Sequence, residues 1–292
     1  MTGEEPEMTI GVVGAGTMGV GVAQCAAQAG HDVVVVEPDP AARERGPHRL
    51  REGVRLLRLT RPTAATGPTG TVRWADSIDA LATADFVVEC ATERVDVKRA
   101  VLSALDAVCP DRTVLASCTS AIPVARLASF TDRADRVLGM HFMNPAPLKD
   151  AVEVVRGADT STETLTRARA LLHGMGKRAI VVNDGPGFVT NRVLMLTVNE
   201  ASTVVQQGTA DAATVDDVFT SCFGHPLGPL ATADLIGLDT VLDSLVVLRE
   251  HTGDDRFTPS RLLAELVGAG HLGRKAGRGF HHYAHTRVLG GR

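Results

Sequence analysis

The apolar positions run first as short blocks and later as helical stripes. Thr9-Ile10-Gly11-Val12-Val13 is a β-prone block that stops at Gly14. The segment VGVAQCAAQAGH follows with an Ala-rich helical face and closes at Gly30. Val33-Val34-Val35-Val36 is again a continuous β-branched block. The alternation continues with a buried strand at 85–90, an amphipathic helix over Val95–Val108, a strand at 113–117 and another over Val137–His141. Residues 41–58 read as an Arg-rich helix broken at Gly46-Pro47, and 60–71 (TRPTAATGPTGT) as a loop. Strands alternating with helices predict βαβ units and a parallel sheet. Past Asn183-Asp184-Gly185-Pro186-Gly187 the strand pattern ends. Helical stripes then cover 189–207, 213–222, 235–249 and 259–269. The expected architecture is an α/β domain at 1–184 and an all-helical domain at 185–292.

The first block carries chemistry. Gly14, Ala15, Gly16, Thr17, Met18 and Gly19 form a G-x-G-x-x-G turn between a strand and a helix, and Glu37 closes the next strand. Gly14 permits the tight turn, Gly16 lets a pyrophosphate approach the backbone, and Gly19 lets the helix pack on the strand. The helix start, with Thr17 and Met18, offers free N–H groups and positive dipole charge to phosphates. Glu37 can accept hydrogen bonds from the adenosine ribose. A carboxylate there repels a 2′-phosphate, so NAD is expected over NADP.

Length and composition narrow the class. At 292 residues the chain suits two domains. It is 44% hydrophobic and 22% charged, as soluble globular proteins are. The net charge of −4 gives no reason to expect nucleic acid as a partner. The five cysteines form no CxxC, and their odd number argues against a disulfide framework. Reduced thiols in the cytoplasm are expected. No apolar run approaches the roughly 18 residues of a membrane span, and the acidic start MTGEEPEMTI has no signal-peptide pattern.

In an open α/β sheet, ligands gather beyond the carboxyl ends of the strands. Those ends carry three polar clusters, at 89–94, 117–120 and 141–144. The third opens GMHFMNPAPLKDAVEVV, in which a proline bend separates His141 from Glu153 and each is flanked by apolar residues. A carboxylate among Val152, Val154 and Val155 needs a partner.

Here the chain resembles the short-chain L-3-hydroxyacyl-CoA dehydrogenases, including the 3-hydroxybutyryl-CoA dehydrogenases. The resemblance runs through GAGTMGVGVAQ, ADFVVECATERVDVK, LASCTSA, RVLGMHFMNPAPLKDAVEVV, NDGPGFVTNRVL, HPLGPLATADLIGLDT and LGRKAGRGF, in the family's order. It implies a Rossmann-type NAD domain followed by a helical domain that makes a homodimer interface. It also implies reversible, NAD-dependent oxidation of a 3-hydroxyacyl thioester. His141 becomes the general acid/base and Glu153 its orienting partner. An imidazole titrates near neutral pH, and a carboxylate fixes its tautomer and stabilises its cation. By the same correspondence Ser120 bonds the substrate's 3-oxygen, Asn144 helps place His141 and the substrate, and Asn191 reaches towards the reacting groups. Glu93 and Lys98 correspond to cofactor-lining positions, although Lys98 could equally be a solvated helix lysine.

The chain departs from the family in three places. Cys118 stands where the family has Asn, Arg94 stands where Asn is common, and the segment 46–84 is shorter than the family's CoA-contacting hairpin. These departures leave room for a thioester on an acyl carrier protein, such as a glyceryl-type unit in polyketide extender-unit synthesis. A non-catalytic NAD-binding relative is a further alternative, opposed by the retained His141 and Glu153. A β-hydroxyacid dehydrogenase would use a lysine in the helical domain, where only Lys275 stands, in a Gly-rich segment. The tract His281-His282-Tyr283-Ala284-His285 has no acidic or Cys partner spaced for a metal. No metal site is expected, and the tract reads as a frayed tail.

Overall fold

The computed structural model describes residues 8–61 and 70–283. Most of the loop expected at 60–71, and Ala284 and His285 of the histidine tract, lie outside the described residues. Two compact units divide between Phe188 and Val189.

The first unit is built on one eight-stranded sheet. Its strands are β1 (Thr9–Val13), β2 (Asp32–Val36), β3 (Val72–Ala75), β4 (Phe86–Glu89), β5 (Val114–Ser117), β6 (Val137–His141), β7 (Ala151–Arg156) and β8 (Arg178–Asn183). They lie side by side in the order β3-β2-β1-β4-β5-β6-β7-β8. Every neighbouring pair is parallel except β6 and β7. Helices cover both faces, as a parallel sheet requires. On one face α1 (Thr17–Gln28) and α5 (Thr162–Gly174) share a core with Ile10, Val12, Val33 and Val35, α1 lying on β1 and β2 and α5 on β6, β7 and β8. On the other, α3 (Val95–Val108) and α4 (Val124–Ala128) share a core with Val13, Val34, Val36 and Val87, α3 lying on β4 and α4 on β6. The alternate side chains of β1 and β2 thus serve opposite cores.

One expectation for this unit needs correction. Helix α2 (Pro40–Thr60) runs through Pro47 without a break. Asp39 caps its start by accepting from the N–H groups of Ala41 and Ala42. Gly46 lies so close to the Trp74 ring that a Cβ there would overlap it, so packing overrides the local cost of Pro47. Strands β3 and β8 and helix α5 were also not anticipated. β3 has no buried residue, and β8 alternates exposed and half-buried positions.

The second unit is helical, with α6 (Thr190–Gln206), α7 (Ala212–Asp217), α8 (Pro229–Ile236), α9 (Leu238–Thr252) and α10 (Arg261–Gly268). The helix expected at 235–249 is two helices. Gly237, at φ 106°, ends α8 and redirects the chain into α9, a conformation L-residues avoid. Residues 281–283 are not frayed. Asp234, 1% exposed, accepts from the N–H groups of Phe280 and His281 and from the Tyr283 hydroxyl. His281 Nε2 lies 2.7 Å from Asp216, whose carboxylate also caps α8 through the N–H groups of Leu230 and Ala231. The acids that hold this tail are distant in sequence, so spacing hid them. Val193, Val218, Phe223, Leu235 and Val246 stand exposed on this unit. Among the described residues no helix is long and apolar enough to cross a membrane.

The tightest junction in the first unit is between α1 and the turn before it. A Cβ on Gly19 would overlap the Gly14 carbonyl, which is backbone and cannot swing away. Gly19→Ala is therefore expected to push α1 off β1 and to lower stability by about 1–3 kcal/mol, the usual cost of overpacking. Denaturant unfolding checks this, and an unchanged midpoint contradicts it.

Candidate active site

The parallel strands β1, β4, β5 and β6 end on one edge of the sheet, and the polar clusters sit there. The strand order reverses at β1 and β4, where open α/β sheets form their ligand crevice.

Gly14 leaves β1 at φ 103°. Its N–H donates to the Val36 carbonyl at 2.8 Å, and a Cβ on it would come within 2.8 Å of the Cys90 carbonyl oxygen. Gly16 and Thr17 are exposed at the start of α1, and a Cβ on Gly16 would meet no protein atom within 4 Å. The first turn of α1 carries no acidic residue and no side-chain cap, so its N–H groups and positive dipole are open to an anion. Met18 is half-buried against the core. Glu37 follows β2 and accepts from the Ala15 N–H at 2.9 Å and the Asp39 N–H at 3.1 Å. Its carboxylate therefore sits beside the turn. These residues fit a dinucleotide: a phosphate cradle without side chains, and an acid placed for a ribose.

A buried ionic network lies under the next two strand ends. Lys98 on α3 is wholly buried, so it is not a solvated helix lysine. Its Nζ donates to both oxygens of Glu89 at 2.9 Å and lies 3.2 Å from Glu93. Burial disfavours the ammonium, but Glu89 and Glu93 outweigh that and raise its pKa. Glu93 accepts from the Thr119 hydroxyl at 2.6 Å and from the N–H groups of Ser120 and Ala121. Burial opposes its charge, but Lys98 and these bonds hold its carboxyl below the ordinary value. Ser120 is half-buried and tied to Glu93 through its backbone. Glu89 also accepts from the Ser117 hydroxyl at 2.5 Å. Sequence reasoning passed over Glu89, although a carboxylate in a buried strand signals a cation nearby. Arg94 is exposed and pairs with Asp96 in its own turn.

At the end of β6 the antiparallel ladder sets His141 directly opposite Glu153. The imidazole Nδ1 lies 2.9 Å from Glu153 Oε2, with His141 5% and Glu153 6% exposed. A carboxylate only accepts, so Nδ1 carries the hydrogen and Nε2 is left as the basic atom. The Phe188 ring meets the imidazole edge-on, 5.9 Å between centroids. Phe188 has φ 54°, a left-handed conformation that costs a bulky residue on the order of 1–3 kcal/mol. This packing gives the PGF motif a role beside the histidine that the sequence did not reveal.

The bend between His141 and Glu153 is pinned from outside. Lys177, itself buried, donates to the carbonyls of Ala146 and Lys149, each at 2.7 Å. Arg61 pairs with Asp150 and donates to the Leu148 carbonyl. Asn144 lies in this bend, on the wall of a cavity of about 360 Å³ enclosed by α1, α2 and the bend. Thr17, Gln24, Arg49 and Leu56 line its other sides. Asn191 is in the helical unit, in the first turn of α6. Among the described residues no three His, Cys, Asp or Glu side chains gather to hold a metal ion.

Residues 9–185 match the 3-hydroxyacyl-CoA dehydrogenase NAD-binding domain, and 187–283 match the 3-hydroxyacyl-CoA dehydrogenase C-terminal domain. A probable 3-hydroxybutyryl-CoA dehydrogenase of Bacillus subtilis is 43% identical over 277 residues, covering 93% of this chain and 96% of the relative. The 3-hydroxybutyryl-CoA dehydrogenase of Bradyrhizobium diazoefficiens is 38% identical over 284 residues, 94% of each chain. The crystal structure of (S)-3-hydroxybutyryl-CoA dehydrogenase from Ralstonia eutropha superposes with a TM-score of 0.87 at 39% identity, covering 96% of this chain and all of that one. The chain is an NAD-dependent oxidoreductase and belongs to the 3-hydroxyacyl-CoA dehydrogenase family.

Proposed function

We propose that this chain oxidises the 3-hydroxyl of a short 3-hydroxyacyl-CoA to the ketone, reversibly. The observation that carries the reading is the buried His141–Glu153 pair at the strand edge that also bears the dinucleotide turn. NAD, when bound, takes the hydride from C3. His141 Nε2 takes the hydroxyl proton, and Glu153 holds Nδ1–H and stabilises the imidazolium that results. Phe188 covers one edge of the ring and limits water there. Ser120 bonds the 3-oxygen and Asn144 positions the acyl group, and the family resemblance gives Asn191 a supporting polar role. The cavity beside Asn144 takes the thioester arm, and Arg49 with the other arginines of α2 offers charge to the CoA phosphates. Gly14, Gly16, Thr17, Met18, Gly19 and Glu37 hold NAD, with Glu93 and Lys98 supporting its nicotinamide side. The names of the similar proteins from Bacillus, Bradyrhizobium and Ralstonia favour a hydroxybutyryl-sized group on CoA.

Turnover of 3-hydroxybutyryl-CoA with NAD, followed by NADH absorbance, tests this. His141→Gln and Glu153→Gln should each lower kcat, the former by roughly 10²–10⁴, the usual worth of general acid–base catalysis. NAD binding should survive both. Wild-type-like kcat in His141→Gln refutes the reading. Turnover of a carrier-protein thioester in place of the CoA ester shifts the substrate assignment and keeps the chemistry.

The lowered pKa of Glu93 sets a pH dependence. The unfolded chain binds this proton more readily, so the stabilisation is complete above the ordinary glutamate value of about 4.3 and is lost as pH falls through the lower native value. The wild-type melting temperature should therefore fall more steeply in that acidic window than that of Glu93→Gln. Parallel curves contradict this.

A further inference from the structure

Two thiols that the reaction does not use meet at the cofactor edge. The parallel register pairs Glu89 with Ser117, the last residues of β4 and β5, and Cys90 and Cys118 are the first residues beyond them. The pairing persists there, because Cys118 N–H donates to the Glu89 carbonyl at 2.7 Å. Both cysteines are half-buried and pack on the same face of the sheet. Neighbouring strands lie about 4.8 Å apart, inside the Cα separation of roughly 4.4–6.8 Å that a disulfide spans. The two thiols are close enough to shift each other's pKa in opposite directions. We propose that Cys90 and Cys118 are a dithiol modification site that hydroperoxides convert to a disulfide, which switches off cofactor binding.

The surroundings divide the roles. The Cys90 thiol first, then the Phe142 N–H and Lys98, lower the pKa of Cys118, although burial opposes them. The same contact and burial push Cys90 well up. Cys118 is therefore the attacking thiolate. Its sulfur takes one peroxide oxygen, the O–O bond breaks, and the other oxygen leaves as alcohol or water after gaining a proton. The Cys118 sulfenic acid is then attacked by Cys90: the S–S bond forms, the S–O bond breaks, and water leaves. Two thiols lose two electrons and one hydroperoxide is reduced. Cys25 and Cys109 differ, since burial pushes both thiols up to about 11. Cys222 is exposed on the helical unit and serves as an internal control.

The disulfide acts on the site through its neighbours. The Cys90 carbonyl lies directly against Gly14, with no room even for a Cβ between them. Phe142 follows His141. An S–S bond locks the two strand ends to each other, and because the Gly14 turn rests on the Cys90 carbonyl, the dinucleotide turn is disturbed first. The loss of turnover rests on the function proposed above, whereas disulfide formation and the loss of NAD binding do not.

The test treats the full chain with graded hydrogen peroxide, blocks remaining thiols and maps cysteine peptides by mass spectrometry. A Cys90–Cys118 cross-link should form before Cys25 or Cys109 react, with loss of NAD binding, and dithiothreitol should reverse both. Bound NAD should slow the cross-link. In Cys90→Ser, a sulfenic-acid trap such as dimedone should label Cys118. In Cys118→Ser it should not label Cys90. Oxidation confined to Cys222 overturns the proposal, as does a Cys90–Cys118 cross-link that leaves NAD affinity unchanged.

Discussion

The site depends on one reversal of the chain. Seven strand pairings build the sheet, and only that of β6 with β7 is antiparallel. That pairing sets His141 against Glu153 across a ladder, where neither group could lie so deeply alone. A slip of one residue would turn Glu153 to the opposite face and leave two buried polar groups unpaired. Lys177 and Arg61, clamping the carbonyls of the bend, guard the register from outside. The proposed acid–base chemistry therefore rests first on backbone geometry.

The neighbouring strand ends repeat the pattern of buried charge satisfied by a specific partner. Glu89 and Lys98 neutralise each other in the interior, and Glu93 extends the network outward to the backbone of Ser120. The loop after β5 is thus tied to α3, and both are tied to β4. The Gly14 turn rests on the first residue beyond β4. Cofactor turn, ionic network and histidine share one sheet edge, and strand register couples them. A thiol pair in that edge, between the turn and Phe142, is well placed to disturb them together.

Much of this was legible in the sequence because local pattern and tertiary need agreed. The GAGTMG turn, the β-branched run at 33–36, the short strand at 85–90 and the helix Val95–Val108 are each visible directly. The HFMNPAP bend declares itself through prolines and flanking apolar runs. Other features were hidden because distant packing decides them. Pro47 suggests a helix break, but α2 continues through it, with Gly46 packed against the Trp74 ring. Gly237 sits inside an apolar stripe, and only its φ divides α8 from α9. Strands β3 and β8 expose too much surface to read as strands. The sequence leaves Lys98 open between a cofactor-lining and a solvated position, because Glu89 beneath it is nine residues away, and the histidine tail reads as frayed because Asp216 and Asp234 are distant in sequence.

The central claim is that Glu153 fixes His141 with hydrogen on Nδ1 and Nε2 free to take a proton. Histidine-selective ¹⁵N NMR of the folded chain, with His141→Gln used to assign its signals, reads this directly. The neutral ring should show a protonated Nδ1 and a bare Nε2, and Glu153→Gln should erase that preference. A neutral His141 protonated at Nε2, or a tautomer unchanged in Glu153→Gln, would contradict the account.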